Sequence, residues 1–284
     1  MSSENERWLA AGIGPLVTLP VHQLLTAAAN AGTSNVECSL DLDQTTESVS
    51  VNIAGWSWRG RHFPHLQTCK ERTIYHWTGT DFEPVANFST SLIKLVPTQW
   101  GPPTFEIDGI KMLPSEHLSP YADAQHKVDL IRPRGKVVLD TCGGLGYFAA
   151  WCLQRGAAHV FSYEKSADVL WLRSLNPWSP KSDPRLTLTH GDIVEHIATL
   201  PAASVDAVLH DPPRFGIAGE LYSQAFYAQL ARVLRRRGRL FHYVGTPNKL
   251  TSGRDVRREV AKRLEQAGLN AQLSGDGVLA VKLG

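Results

Sequence analysis

The chain has 284 residues, 43% of them hydrophobic and 20% charged, with a formal net charge of +2. This length and apolar content support one large or two ordinary domains with a real core, and no low-complexity tract interrupts them. No apolar run reaches the ~18 residues of a membrane helix, and the opening residues lack a basic stretch followed by an apolar block, so neither membrane spanning nor secretion is expected. Cys38, Cys69, Cys142 and Cys152 form no C-x-x-C pair and have no nearby histidines spaced for zinc. A reduced, cytoplasmic setting with no metal site follows.

In chain order, Leu19 to Ala31 reads as a short amphipathic helix stopped at Gly32. Alternating runs then predict half-buried strands at Val36 to Leu42, Ser48 to Ile53, Arg72 to Thr78, Glu83 to Phe88, Ser91 to Val96 and Thr104 to Lys111. Thr78-Gly79-Thr80-Asp81 and Trp100-Gly101-Pro102-Pro103 are turn signals. Residues 1–115 therefore read as a small antiparallel β domain that caps a substrate, its Trp56, Trp58, Trp77 and Trp100 read as core aromatics or a binding surface. Residues 116–284 form the second domain. Ser119 to Leu130 has a helical pattern, and the rest alternates strand and helix, which selects a doubly wound parallel sheet. Ala271 to Leu273 and Val278 to Leu283, joined by Ser274-Gly275-Asp276-Gly277, read as a closing antiparallel hairpin.

The run from Val137 to Phe148 is an apolar strand ending on Asp140, a turn holding Gly143, Gly144 and Gly146, and an apolar helix. Glycine lacks the Cβ that would keep a ligand off the backbone, so a nucleotide-like molecule can lie against bare peptide there. A carboxylate at Asp140 would repel a pyrophosphate and welcome an ammonium or sulfonium centre. The next strand, His159 to Tyr163, ends in Glu164, placed to meet two ribose hydroxyls, with Lys165 beside it. Leu186 to His190 leads into Gly191-Asp192-Ile193, where a carboxylate could accept from an adenine amino group. Singly, each acid could equally be a helix cap or a solvated loop residue.

These motifs, with Val205 to Phe215 as a fourth strand and its loop, resemble a class I S-adenosylmethionine-dependent methyltransferase. The resemblance implies an α/β fold with a Rossmann-like core and S-adenosyl-L-methionine as cofactor, held by Asp140, Cys142, Gly143, Gly144, Gly146, Glu164, Lys165, Asp192, Ile193 and Asp211. Cys142 stands where the family's first glycine would. Asp140 to Tyr147, Leu175-Asn176-Pro177-Trp178-Ser179 and His210-Asp211-Pro212-Pro213-Arg214-Phe215 together resemble a group of predicted archaeal and bacterial methyltransferases.

His210, Asp211, Pro212 and Arg214 are the catalytic candidates. Two prolines fix φ and remove two donors, leaving the preceding carbonyls as acceptors for a substrate N–H. Asp211 can add a hydrogen bond or take the proton. Arg214 replaces the aromatic residue that would stack on a base, which points to an acidic acceptor or to an internal ion pair. Tyr121, Tyr147, Tyr222 and His242 are substrate candidates; simple packing is the competing reading for each. The expected partner is a small molecule, an amine being one choice, with RNA ranked below it, no membrane, and homodimerisation open. The basic sets at Arg232 to Arg239 and Arg254 to Arg263 resemble a nucleic-acid footprint but also suit a helix C-terminus and an amphipathic helix.

The β domain, Phe105 to Ile110, and Glu220 to Tyr227 are also similar to spermidine synthase. That resemblance puts Asp211 on the catalytic aspartate of the aminopropyltransferases, with two departures: the glycine turn differs, and Arg214 stands where a second aspartate would. A non-catalytic cofactor-binding interaction protein is the remaining alternative.

Overall fold

The computed structural model describes residues 14–213, 218–245 and 255–283. They divide into two compact units, one of residues 14–123 with Trp171–Ser179, the other of Ala124–Leu170 with residues 180–283.

The N-terminal unit contains β1 (Leu16–Val17), helix α1 (Leu19–Asn30), β2 (Asn35–Cys38), β3 (Glu47–Asn52), β4 (Gly55–Trp58) and β5 (Arg61–Phe63). It continues with β6 (Tyr75–Trp77), β7 (Phe82–Pro84), β8 (Ala86–Phe88), β9 (Leu92–Val96), β10 (Thr104–Ile107) and β11 (Ile110–Lys111). These pair antiparallel in the orders β1-β6-β7, β2-β3-β4-β5 and β11-β10-β9-β8. Helix α1 starts with a proline in its first turn and stops before Gly32, whose φ of 69° only glycine adopts cheaply. β3 buries Val49 and Val51 and exposes Ser48, Ser50 and Asn52, the alternation of a one-sided sheet. Trp56 packs on Phe63 with ring centroids 4.7 Å apart, and Trp77 meets Phe82 at 5.0 Å. Trp56 and Trp58 are buried, as core aromatics should be, whereas Trp100 is 40% exposed and its indole N–H donates to the Ser115 carbonyl.

The run expected as one strand over Glu83 to Phe88 is two. Val85 donates to the Ile74 carbonyl and accepts from Leu95, so the chain leaves one sheet and joins another at that residue. The hairpin of β4 and β5 was not anticipated. Its turn is Arg59-Gly60, both with positive φ, and an arginine gives no turn signal in sequence.

Trp171–Ser179, which in sequence looks like part of the methyltransferase core, belongs to the N-terminal unit. There the Trp178 indole donates to the Leu42 carbonyl at 2.8 Å and the Gln44 amide donates to the Pro177 carbonyl at 2.6 Å.

The second unit takes up helix α2 (Pro120–Ile131) from Ala124, then β12 (Val137–Asp140), α3 (Tyr147–Gln154), β13 (His159–Glu164) and α4 (Ala167–Leu175) as far as Leu170. After these come β14 (Leu186–His190), α5 (Ile193–His196), β15 (Val205–His210), α6 (Gln224–Val233), β16 (Leu234–Tyr243), α7 (Val256–Gln266), β17 (Leu269–Ser274) and β18 (Gly277–Lys282). One sheet joins all seven strands in the order β14-β13-β12-β15-β16-β18-β17, parallel except for β18, which runs antiparallel to both neighbours. This is the Rossmann-like class I methyltransferase fold, with the closing hairpin where the sequence pattern put it. β15 is central, and its successive residues Ala207, Val208 and Leu209 are all buried, so both faces of the strand lie inside the fold. α6 is N-capped by Ser223 and α7 by Asp255, each side chain accepting from backbone N–H groups of the first turn. Among the described residues no helix is long and apolar enough to cross a membrane, and no cluster of side chains could hold a metal ion.

Candidate functional site

In a parallel sheet whose strand order reverses beside β12, ligands bind outside the carboxyl ends of the strands. The register sets the candidate acids along that edge: Asp140 pairs with Ser162 and Leu209, Glu164 with His190, and His210 with His242.

After Asp140 the chain turns through Gly143, Gly144 and Gly146 into α3. Gly144 has φ 48° and Gly146, the N-cap of α3, has φ 81°, so a side chain at either would cost about 1–2 kcal/mol in backbone strain alone. The turn is held from the side. Gly143 N–H donates to the Tyr163 carbonyl at 2.7 Å, and Gly144 N–H donates to Glu164 Oε2 at 2.9 Å. The other oxygen of Glu164 accepts from Ser166 N–H at 2.9 Å. Each carboxylate oxygen has two lone pairs, so a carboxylate that accepts from the turn can also meet the hydroxyls of a ribose. The bare backbone and the anchored carboxylate fit an adenosyl cofactor.

Asp140 is fully buried at the end of β12, and the Ser162 hydroxyl donates to its Oδ2 at 2.8 Å, which joins β13 to β12. Cys142 is a neutral thiol: burial, followed by the charge of Glu164, pushes its pKa well above the ordinary value. Asp192 caps α5, accepting from Val194 N–H at 2.9 Å, while Lys165 Nζ stands 3.5 Å from its other oxygen. Ile193 beside it is buried.

Asp211 begins the loop after β15, with Pro212 buried behind it. The Pro213 carbonyl accepts from the Tyr222 hydroxyl at 3.1 Å, which ties the loop to the short helix Gly219–Tyr222. Burial, then the charge of Asp211, raises the Tyr222 pKa, so this phenol is a donor and not a base. Tyr147 is buried at the start of α3. Tyr121 lies in the N-terminal unit, its ring 5.2 Å from that of Trp178. Arg214 lies outside the described residues.

His210, a catalytic candidate, and His242, a substrate candidate, are both enclosed by the fold. His210 is 1% exposed; its Nδ1 faces the Thr141 hydroxyl at 2.7 Å and its Nε2 the Leu221 carbonyl at 3.1 Å. His242 is fully buried, with Nε2 2.9 Å from the Tyr227 hydroxyl and Nδ1 2.8 Å from the Tyr243 carbonyl. The rings meet edge to face at 4.4 Å. Burial holds the His210 pKa down to about 4 and pushes that of His242 well below its ordinary value, so both are neutral, with each N–H facing a carbonyl and the other nitrogen accepting a hydroxyl proton. They knit the ends of β12, β15 and β16 together. A strand-end position in sequence could not show that both ring nitrogens are already used.

One residue of the site was missed in sequence. Lys127 of α2 is 6% exposed, with Nζ 3.8 Å from Asp211 Oδ2 and 3.5 Å from the centroid of the Tyr243 ring. The signal was present: Ala124, Val128 and Ile131 form the buried face of α2, and Lys127 falls on that face, where a charge has no place unless something holds it.

A cavity of about 550 Å³ in the N-terminal unit, lined by Leu16, Leu42, Asp43 and Arg72 among others, contains none of these site residues.

The fold places the second unit among class I methyltransferase-like structures, and comparison with known proteins agrees. Residues 121–231 match the model of the FtsJ-like methyltransferase family. An uncharacterized protein of Methanocaldococcus jannaschii is 43% identical over 196 residues, a match covering 66% of this chain and 66% of that protein, a little under two thirds of each. Among solved structures, a spermidine synthase in complex with the transition state analogue AdoDATO superposes with a TM-score of 0.54 at 16% identity, over 69% of this chain and 72% of that one. The spermidine synthase of Thermotoga maritima gives 0.53 at 14%, over 85% and 76%. MnmC2 of Aquifex aeolicus gives 0.51 at 17%, over 70% and 72%. At these identities the structural likeness speaks to the fold alone. Family match and fold together support a methyltransferase.

Proposed function

We propose that the protein transfers a methyl group from S-adenosylmethionine to a nitrogen of a small-molecule acceptor at the loop that begins with Asp211. The observation carrying this reading is the pairing of two features on one sheet edge: a glycine turn anchored by Glu164, and, one strand away, a carboxylate held by Lys127. The bound cofactor would supply an electrophilic methyl carbon on a sulfonium. Glu164 would hold the ribose, while Asp192, with Lys165 and Ile193 beside it, would border the adenine. Asp211 would accept a hydrogen bond from the acceptor N–H and take the proton as the carbon–nitrogen bond forms, with Lys127 holding the carboxylate in place. Most of the acceleration would come from aligning nucleophile, methyl carbon and sulfur. Arg214 in place of an aromatic residue in the sequence favours an acceptor that bears an acidic group.

Aminopropyl transfer to a polyamine is the second reading, favoured by the spermidine synthase likeness that extends over 85% of the chain. Lys127 counts against it, because an ammonium beside Asp211 repels a polycationic acceptor. Incubation with methyl-labelled S-adenosylmethionine and a cell extract separated into small molecules, RNA and protein tests the proposal. Label in the small-molecule fraction supports it; label in RNA alone would reassign the acceptor, and no label in any fraction would refute the enzyme.

A further inference from the structure

The two edges of the large sheet differ in charge. The carboxyl edge carries the acids described above, and the amino-terminal edge carries arginines. β16 makes a wide bulge there: Leu234 pairs with Val205 and Arg239 with Ala207, and the extra residues, Arg235, Arg236 and Arg237, are all exposed. The sequence reading placed this set at the C-terminus of α6, where cations complement the helix dipole. Only Arg232 lies in the last turn of α6, and its guanidinium donates to the carbonyls of Ile197 and Leu200, outside that helix. Arg235 pairs with Asp206, which also accepts from Val137 N–H and so joins the starts of β12 and β16. Among the described residues Arg236 and Arg237 make no ion pair.

The row continues across β12. Lys136 precedes that strand, and Arg239 reaches the Leu130 carbonyl beside it. Burial, then the nearby charge of Arg239, lowers the Lys136 pKa, and Arg132 adds to the repulsion. Beyond Lys136 a cavity of about 540 Å³ is lined by Arg132 and Arg134, both exposed and without an ion pair among the described residues. The one carboxylate in that lining, Asp129, is matched by Arg155 at 2.8 Å. Counting across β12, β15 and β16, the row extends ~10 Å. The whole chain carries only +2, so the rest of it is net acidic and the excess is local.

We propose that this amino-terminal edge docks the phosphate backbone of a nucleic acid. Arginine predominates in the row, and its planar fork matches phosphate oxygens two at a time. The exposed arginines address phosphate oxygens, so the recognition proposed is of the backbone and independent of sequence. The surface is separated from the cofactor turn by the length of the strands, and the proposal stands whether or not methyl transfer does.

The test is fluorescence anisotropy of the full chain with a 20-base-pair RNA duplex and a DNA duplex of the same sequence, over a series of salt concentrations. Binding to at least one duplex is expected, with log Kd rising with log salt at a slope of about 0.9 per phosphate contacted, hence about 3 for three or four contacts. Replacing Arg132, Arg134, Arg236 and Arg237 together by Gln should weaken binding at least tenfold and flatten the slope. Replacing Arg258 and Lys262 on α7 by Gln should change it less than twofold. All of these side chains are exposed, and an unchanged melting temperature shows that the variants fold. The proposal fails if neither duplex binds at low salt, if the fourfold variant binds as well as the parent, or if vesicles with anionic lipid bind while both duplexes do not.

Discussion

Lys127 Nζ lies 3.8 Å from Asp211 Oδ2, with the lysine side chain 7% and the aspartate side chain 16% exposed. So close a pair, sheltered from solvent and with the Tyr243 ring against the ammonium, is screened little by salt. Lys127→Met should lower kcat by about 10- to 100-fold, because the carboxylate loses the ammonium that holds it in place. Lys127→Arg should restore part of the rate. An unchanged kcat in a folded Met variant would show that the lysine only packs.

Asp211→Asn keeps the shape of the side chain and removes its basicity. A loss of about 10² or more in kcat is expected, with the affinity for S-adenosylhomocysteine nearly unchanged by calorimetry. The released product should be S-adenosylhomocysteine, and stoichiometric methylthioadenosine with a polyamine acceptor would promote the aminopropyl reading.

Glu164 accepts from Gly144 N–H and Ser166 N–H at once, so it orders the turn as well as meeting a ribose. Glu164→Ala should weaken S-adenosylmethionine binding by roughly tenfold to a hundredfold, the equivalent of about 1.5 to 3 kcal/mol for a charge-assisted bond. Calorimetry on the parent and the variant decides it; equal affinities would detach Glu164 from the cofactor.

The buried histidines impose a pH dependence on stability. His210 binds its proton with a pKa near 6.5 when unfolded and of about 4 when folded. The unfolded chain therefore binds more protons between these values, and stability falls as pH drops from about 6.5 toward 4. For His210 alone the loss by pH 4 is on the order of 3 kcal/mol, and His242, depressed in the same direction, adds to it. Urea midpoints at pH 7.5, 6 and 5 should decline in that order. Proton resonances of both rings that titrate near pH 6.5 in the folded protein would contradict the buried, neutral assignment.

Much of the second unit was legible in sequence because its signals are local. The apolar strand, glycine turn and apolar helix from Val137 to Gln154 are contiguous, and the alternation of strand with helix leaves few ways to build the sheet. In the N-terminal unit the turns at Thr78–Asp81 and Trp100–Pro103 were read, whereas the hairpin of β4 and β5 through Arg59-Gly60 was not, and Thr104 to Lys111, read as one strand, folds back at Asp108-Gly109. Val85 could not be read as the point where the chain changes sheets, since that depends on bonds to Ile74 and Leu95.

The sequence alone thus determined the order of elements in the second unit and the residues that end on its carboxyl edge, since periodicity and glycine turns act between neighbours along the chain. Only the tertiary structure decided what those residues touch. It buried Asp140 against Ser162, used both nitrogens of His210 and His242 inside the fold, brought Lys127 to Asp211, and lined up Arg132, Arg134, Lys136 and the β16 arginines along the opposite edge. Each of these depends on the sheet order that places β15 and β16 beside β12, and the electrostatic energy between two charges depends on their separation in space, whatever their separation in sequence.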